Sequence, residues 1–134
     1  MGLTHLLDSN ICIYIINYKP LQVRAKFREY RPGEVGLSSI VLAELAFGVS
    51  KSKHADKNYA ALEVFLADLE VVAFDELAAW RYGSIRATLE RKGTPIGALD
   101  LQIAAHALEL GATLVTNNTA EFSRVEGLKL ENWI

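Results

Sequence analysis

The sequence has few of the residues that build disulfides and cysteine-rich zinc sites, and it has no hydrophobic run as long as a membrane span. It has one cysteine, Cys12, and three histidines in 134 residues, which excludes an intramolecular disulfide and a zinc site built from cysteines. No apolar run reaches the ~18–20 residues that cross a bilayer. No basic segment precedes an apolar stretch at the N-terminus. We therefore expect a cytoplasmic protein with no membrane contact.

Three glycine motifs of phosphate and ester chemistry are also absent. The sequence contains no G-x-x-x-x-G-K-[ST] loop, no G-x-G-x-x-G turn and no G-x-S-x-G elbow, so nothing in it indicates a P-loop NTPase, a dinucleotide-binding protein or an α/β-hydrolase.

The net charge of the chain is small, but basic residues are concentrated in two segments. The net charge is −2, so the surface as a whole does not attract a polyanion. Two basic groups stand out, Lys19, Arg24, Lys26, Arg28 and Arg31 in one and Arg81, Arg86, Arg91 and Lys92 in the other. Either these are basic rims that contact nucleic acid, or they are ordinary solvated helix faces.

Hydrophobic residues are plentiful, at 51%, and their pattern predicts one α/β domain spanning residues 1–134. Short apolar strands are expected at residues 5–7, 34–38, 71–74, 112–116 and 128–131. Helices are expected at residues 9–16, 20–31, 39–49, 54–69, 76–92 and 98–110. This alternation favours a short, mostly parallel central sheet with helices on both faces.

The ends of these elements carry their own signals. Asp8 or Ser9, Ser38 or Ser39, and Asp75 are expected to cap the helices that follow them, and Gly111 to end the last helix. Residues 93–97 are expected to form a loop, and the last strand to lie at an edge of the sheet. The aromatic residues Tyr59, Trp80 and Tyr82 are interpreted as core residues.

Four acidic residues occupy positions where they could converge, Asp8, Glu44, Asp100 and Glu121. In parallel sheets the ligand crevice lies beyond the carboxyl ends of the strands. Asp8 directly follows the first strand, and Asn117 and Asn118 follow the strand that ends at Thr116.

Each acid also has a simpler interpretation. Glu44 lies in the apolar segment Ile40–Phe47, which predicts a largely buried helix and a carboxylate that needs a cation, an arginine or hydrogen-bond donors. Asp8 and Asp100 lie in first helical turns, where either could serve only as a cap. Asp100, however, shares its helix face with Ile103 and Ala104, so it is expected to face the sheet. A short helix after Asn118 would explain Glu121 equally well.

If the fold gathers these carboxylates, their mutual repulsion raises their pKa values unless a cation neutralises them. Oxygen ligands without histidine or cysteine suit Mg²⁺, with Mn²⁺ as a substitute, better than zinc. A metal-activated water at such a site hydrolyses phosphodiester bonds, which points to a metal-dependent nuclease.

With these residues assembled, the chain resembles the PIN-domain ribonucleases, and more closely the VapC-type toxins of bacterial toxin–antitoxin pairs. The resemblance covers essentially the whole chain. It rests on residues 6–10 (Leu-Leu-Asp-Ser-Asn), 38–45 (Ser-Ser-Ile-Val-Leu-Ala-Glu-Leu) with Gly48, 85–97, 100–107 and 115–122, in this order and spacing.

The resemblance implies the following site. Asp8 and Asp100 are direct metal ligands, Glu44 orients or deprotonates water, and Glu121 completes the charge cluster. Many members place an aspartate where this chain has Asn118 and a threonine where it has Ser9. Surrounding positions are Ser9, Thr116, Asn117 and Asn118, and Arg86 and Lys92 are candidates for gripping RNA phosphates.

The resemblance also implies the partners. The substrate is structured RNA, often transfer RNA, and the chain forms a homodimer. A VapB-type antitoxin protein blocks the pocket with its C-terminal segment, often with a basic side chain.

Two alternatives come from other classes. A catalytically impaired PIN-like module that only binds RNA or protein would account for Asn118. A receiver-like phosphoacceptor is a parallel α/β fold too, but it needs a paired acidic cluster after the first strand and a lysine after a late strand. Here Asp8 stands alone and Thr116 is followed by asparagines.

Overall fold

A computed structural model describes residues 2–134 of the chain. Met1, which belongs to the expected domain 1–134, lies outside the described residues. Residues 2–134 form five strands and seven helices. The strands are β1 His5–Leu7, β2 Val35–Ser38, β3 Glu70–Val72, β4 Thr113–Val115 and β5 Leu130–Glu131. The helices are α1 Ser9–Asn17, α2 Leu21–Phe27, α3 Ser39–Ser50, α4 Ala55–Leu66, α5 Glu76–Arg91, α6 Ala98–Leu110 and α7 Thr119–Phe122.

The strands form one sheet in the order β3-β2-β1-β4-β5, and every pairing is parallel. Leu6 and Leu7 are neighbours on β1 and point to opposite faces of the sheet. Neither side chain has any exposed surface, so both faces are covered. The predicted α/β fold with helices on both faces is confirmed, and so is the edge position of the last strand.

Capping residues fix the boundaries of the helices that flank the site. Asp8 caps α1, Ser38 caps α3 and Asp75 caps α5, each through a side-chain oxygen that accepts a backbone N–H of the first turn. Gly111 ends α6 with a φ of +67°, a left-handed conformation that glycine adopts without strain. These caps agree with the sequence prediction within a residue.

Helix α2 ends earlier than predicted, at Phe27 instead of near Arg31. Beyond it, the ring of Tyr30 stacks on that of Trp133, with centroids 5.5 Å apart and planes 13° from parallel. This contact joins two distant parts of the chain, so the local hydrophobic pattern carries no sign of it.

The expectation that α3 is largely buried was wrong. Val41 and Leu45 pack into the core, but Phe47 is 65% exposed. The interpretation of Trp80 and Tyr59 as core residues was wrong as well, since they are 73% and 57% exposed. In each of these helices one face packs into the core, and apolar residues on the other face are exposed to solvent.

Within residues 2–134, the helices all lack the combination of length and hydrophobicity that a bilayer crossing requires.

Gly36 on β2 offers a test of the sheet geometry. A Cβ at this position would overlap the backbone carbonyl of Glu70 on β3 and approach the side chain of Leu3. We expect Gly36→Ala to lower the free energy of unfolding by about 2–3 kcal/mol, because β2 must then shift away from β3. Urea unfolding followed by circular dichroism measures this.

The matched control is Gly48→Ala in α3, where an added Cβ meets nothing within 4 Å. It should leave the protein as stable as the wild type or more stable by up to about 1 kcal/mol, since alanine favours helix. Equal stability of the two variants would contradict the close approach of β2 and β3.

Candidate active site

Asp8 is the buried centre of the site, at the carboxyl end of the central strand β1. Its backbone N–H donates to the carbonyl of Val115 on β4 (2.9 Å). Its Oδ1 accepts the N–H of Ser9 (2.8 Å) and its Oδ2 accepts the hydroxyl of Thr116 (2.7 Å). The residue is 6% exposed, so these donors compensate a carboxylate that has lost most of its water.

Thr116 connects Asp8 to Glu121. While its hydroxyl donates to Asp8, its Oγ1 accepts the backbone N–H of Asn118 at 3.0 Å. The Asn118 side-chain amide then donates to Glu121 Oε2 at 2.9 Å. The other oxygen of Glu121 accepts the N–H of Gly97 at 3.3 Å, just before α6 begins. This chain of contacts ties the end of β4 to the start of the helix that carries Asp100.

Glu44 reaches the site from α3, where it is partly buried. The hydroxyl of Ser9 donates to Glu44 Oε1 at 2.7 Å, so one residue links Glu44 to Asp8: its hydroxyl binds the former and its backbone N–H the latter. The hydroxyl of Ser9 therefore holds Glu44 close to Asp8.

Asp100 lies in the first turn of α6, with Ile103, Ala104 and Ala107 of its helix face fully buried. Burial, followed by the charges of Asp8, Glu121 and Glu44, raises the pKa of Asp100 to about 6. Burial also raises the pKa of Asp8, an effect that its hydrogen bonds oppose and the charges of Glu44 and Glu121 reinforce. The fold thus brings all four acids into one electrostatically coupled group. No lysine or arginine in residues 2–134 forms an ion pair with any of them.

The remaining sequence candidates lie outside this group. Asn117 accepts a hydrogen bond from the side chain of Asn132 (3.2 Å), and within residues 2–134 its side chain has no hydrogen bond to any of the four acids. Arg86 binds Glu90 Oε2 (2.8 Å) and the hydroxyl of Tyr82 (3.0 Å) on its own helix. Lys92 is exposed at the end of α5.

Two contacts near the site were not expected from the sequence. His106 Nδ1 and Ser38 Oγ are joined by a buried hydrogen bond of 2.8 Å, and burial lowers the pKa of His106. Gly97 was expected only as loop, yet its N–H holds Glu121. Both join residues far apart in the chain, so no local pattern could have indicated them.

Comparison with known proteins places this geometry in a family. Residues 5–128 match the PIN domain. The chain is 47% identical to Ribonuclease VapC2 of Rickettsia felis, covering 96% of this chain and 97% of that protein. It is 44% identical to the tRNA(fMet)-specific endonuclease VapC of Shigella flexneri, covering 98% of each.

The chain belongs to the PIN-domain family, among the VapC ribonucleases.

Solved structures agree with this PIN-domain assignment. The DNA-bound VapBC of Salmonella typhimurium superposes with a TM-score of 0.93 at 43% identity, covering 98% of this chain and 99% of that one. VapBC2 of Rickettsia felis, bound to a fragment of promoter DNA, gives 0.90 at 44% identity, with 98% and 100% covered. The receiver-like alternative is therefore wrong.

PIN-domain ribonucleases depend on divalent metal ions, and the four acids of this chain fit such an ion. All their donor atoms are oxygens. The pKa values of two of the carboxyls, Asp8 and Asp100, are raised, and a bound cation would lower them. In residues 2–134, no three His, Cys, Asp or Glu side chains are arranged to hold a metal by themselves. A divalent ion that takes one or two protein carboxylates and fills its other positions with water does not need such a group.

The raised pKa of Asp100 gives a stability prediction for the metal-free protein. A carboxyl whose pKa is higher folded than unfolded stabilises the fold most at low pH, and this contribution is lost as the pH rises through the folded value, here about 6. We expect Asp100→Asn to raise the free energy of unfolding by about 1 kcal/mol near pH 8, a discounted figure because the carboxyl is partly in water. Near pH 4, at about the unfolded pKa, the gain should vanish.

Thermal unfolding in a chelator at both pH values measures the effect. Glu126→Gln makes the same acid-to-amide change at an exposed position and should leave stability unchanged at both. A wild type as stable as Asp100→Asn near pH 8 would show that folding does not raise the pKa of Asp100.

Proposed function

We propose that the chain is an endoribonuclease toxin that hydrolyses phosphodiester bonds in structured RNA, specifically transfer RNA, with Mg²⁺ as its cofactor and Mn²⁺ as a substitute. The observation that carries this is the coupled group Asp8, Glu44, Asp100 and Glu121 at the carboxyl ends of the strands. The transfer RNA target follows the relatives named tRNA(fMet)-specific endonuclease. The domain that acts comprises residues 1–134.

In this proposal Asp8 and Asp100 hold the ion. Asp8 is suited because Thr116 and Ser9 fix both of its oxygens, and Asp100 because its raised pKa falls back when a cation is near. A bound divalent ion supplies charge stabilisation for the phosphate and lowers the pKa of water.

Glu44 orients or deprotonates the attacking water. Ser9 donates to Oε1 of Glu44, which leaves Oε2 available to accept a hydrogen bond from that water. Glu121, which accepts hydrogen bonds from Asn118 and Gly97, adds the fourth negative charge to the group. Arg86 and Lys92 hold phosphates of the RNA; for Arg86 this requires release of Glu90.

Asn118 is the one observation that favours the alternative of a catalytically impaired PIN-like module that binds RNA or protein. Its side chain adds no charge where many relatives of the family carry an aspartate. It does hold Glu121 in place by a 2.9 Å hydrogen bond, and Glu121 itself supplies a fourth carboxylate. This arrangement supports the enzyme over the binding module.

A VapB-type antitoxin is proposed as the protein partner. A groove of about 740 Å³ runs between α1, α3 and α4, with Ser9 and Glu44 in its wall and the apolar Ile13 and Phe47 along its length. The exposed apolar face of α3 forms part of it. An antitoxin segment lying in this groove would bring a basic side chain against Glu44. The solved relatives are toxin–antitoxin complexes, which supports this partner.

A homodimer is proposed from the exposed apolar residues of α5. Leu77 is 62% and Trp80 73% exposed, three residues apart on the helix. Residues at this spacing share a helix face, and a second copy of the chain would remove that face from water.

The activity test compares wild type with Asp100→Asn on a pool of transfer RNA in Mg²⁺. We expect Asp100→Asn to lower cleavage by at least about 100-fold, since a direct ligand should matter at least as much as the residues that support one. A chelator should abolish wild-type cleavage, and Glu126→Gln should cleave normally. Intact RNA with folded, metal-supplied wild type would instead favour the binding module.

Glu121→Gln tests which residue completes the site. Because this change removes one charge of the group without removing a direct ligand, we expect the Mg²⁺ concentration for half-maximal cleavage to rise about tenfold. High Mg²⁺ should restore most of the activity, which it should not do for Asp100→Asn. An unchanged Mg²⁺ requirement would place Glu121 outside the metal site.

A further inference from the structure

A second charged feature lies apart from the carboxylates. A cavity of about 220 Å³ is lined by Arg24, Phe27, Arg28, Tyr30 and Arg31 from α2 and the segment after it, and by Asp68 from the segment before β3. At ~30 Å³ per water molecule it has room for about seven waters, enough for a phosphate group. Its charged lining carries three positive side chains and one negative.

The three arginines differ in how firmly they are held. Arg24 donates one N–H to the carbonyl of Ile15 (3.1 Å) and its guanidinium lies 3.8 Å from the ring centroid of Tyr18, so it is fixed with donors to spare. Arg28 and Arg31 are exposed residues, and neither forms an ion pair with another residue of the described range 2–134.

Nearby acids do not neutralise these arginines at contact distance. Asp68 lines the same cavity but forms no ion pair within residues 2–134. The carboxylate of Glu34 accepts the backbone N–H of Arg31 (2.7 Å) and leaves its guanidinium unbound. Lys26 and Glu29 pair with each other (3.4 Å). The cavity therefore retains an excess of positive charge with unused donors.

The cavity lies at the end of the sheet opposite the acids. It includes Val35, the first residue of β2, whereas Asp8 and Thr116 follow the last residues of parallel strands. Val35 pairs with His5, three residues before Asp8, so at ~3.3 Å per residue the two sites are separated by about 10 Å along the strand direction. A phosphate bound in the cavity is therefore not the phosphate that is cleaved.

We propose that this arginine cavity binds backbone phosphates of the RNA substrate away from the cleaved bond, and so favours structured RNA over short single strands. The inference rests on the proposed ribonuclease function. Guanidinium groups match phosphate oxygens with paired N–H donors. Phe27 and Tyr30 already pack against Phe65 and Trp133 of the chain itself, so the arginines carry the recognition.

The test compares the double variant Arg28→Gln/Arg31→Gln with a control of equal charge change, Lys53→Gln/Lys129→Gln, at two exposed positions outside the cavity. Binding of transfer RNA is measured in the Asp100→Asn background over a range of salt concentrations. We expect Kd to rise about tenfold near 0.1 M salt, and the slope of log Kd against log salt to fall by about 1–2. The control should change Kd less than about twofold.

Cleavage assays then separate this site from the active site. With Asp100 restored, KM for transfer RNA should rise while kcat stays near the wild-type value. A short oligonucleotide that spans the mapped cut should show no difference between the arginine variant and the control. Either single arginine variant replaces the double variant if circular dichroism shows that the double variant is unfolded.

Several results would overturn the proposal. Transfer RNA binding equal to that of the control would do so, and if antitoxin binding were lost instead, the cavity would belong to an acidic protein. Loss of oligonucleotide cleavage by a folded arginine variant would show that these residues act on the active site. A wild type that cleaves no RNA would refute the proposed ribonuclease function, while the binding measurements would still decide whether the cavity holds RNA.

Discussion

The charge of Asp8 sits almost out of contact with water at the end of the central strand, and much of the site compensates for that burial. Isolated carboxylates are not tolerated in such surroundings without donors or a cation. Here a backbone N–H and a hydroxyl each occupy one oxygen. The hydroxyl belongs to Thr116, which also fixes the loop that carries Glu121. One buried charge thus sets the positions of groups that the chain separates by more than a hundred residues.

Compensation by hydrogen bonds is incomplete, and this shapes the chemistry. Burial, reinforced by the charges of the neighbouring acids, raises the pKa values of Asp8 and Asp100. A divalent ion bound among these carboxyls would stabilise their charged form, so part of that cost would be recovered when the ion binds. The negative charge of these carboxylates would repel RNA in the absence of the ion. Ion and RNA should therefore bind cooperatively. A protein partner with a basic side chain would compete with the ion, because it too would neutralise the charge of these carboxylates.

The sequence predicted features that depend on local chemistry. Caps at Asp8, Ser38 and Asp75, the glycine after α6, and the parallel sheet all follow from residue type and spacing. The rule that parallel strands present their carboxyl ends at one edge placed Asp8 beside the residues that follow Thr116. That rule places residues at an edge and gives no distances. The contacts of Ser9 with Glu44 and of Asn118 with Glu121 came only from the structure.

Burial was the least predictable property, for a physical reason. Hydrophobicity indicates that a side chain gains free energy by leaving water, but not whether its own chain or another molecule covers it. Phe47 and Trp80 are apolar and exposed, and both lie on helices whose opposite face already packs into the core. Sequence alone does not distinguish a core face from an interface face, and the errors at these positions are of this kind.

Cys12 lies fully buried in α1, one turn beyond Asp8, and burial raises the pKa of its thiol. A thiol in this state has almost no thiolate to react with oxidants or alkylating reagents. It is also the single cysteine of the sequence. A cysteine introduced at the surface would therefore be labelled selectively, which makes this chain suitable for placing one fluorophore or spin probe beside the groove or the arginine cavity without altering the native thiol.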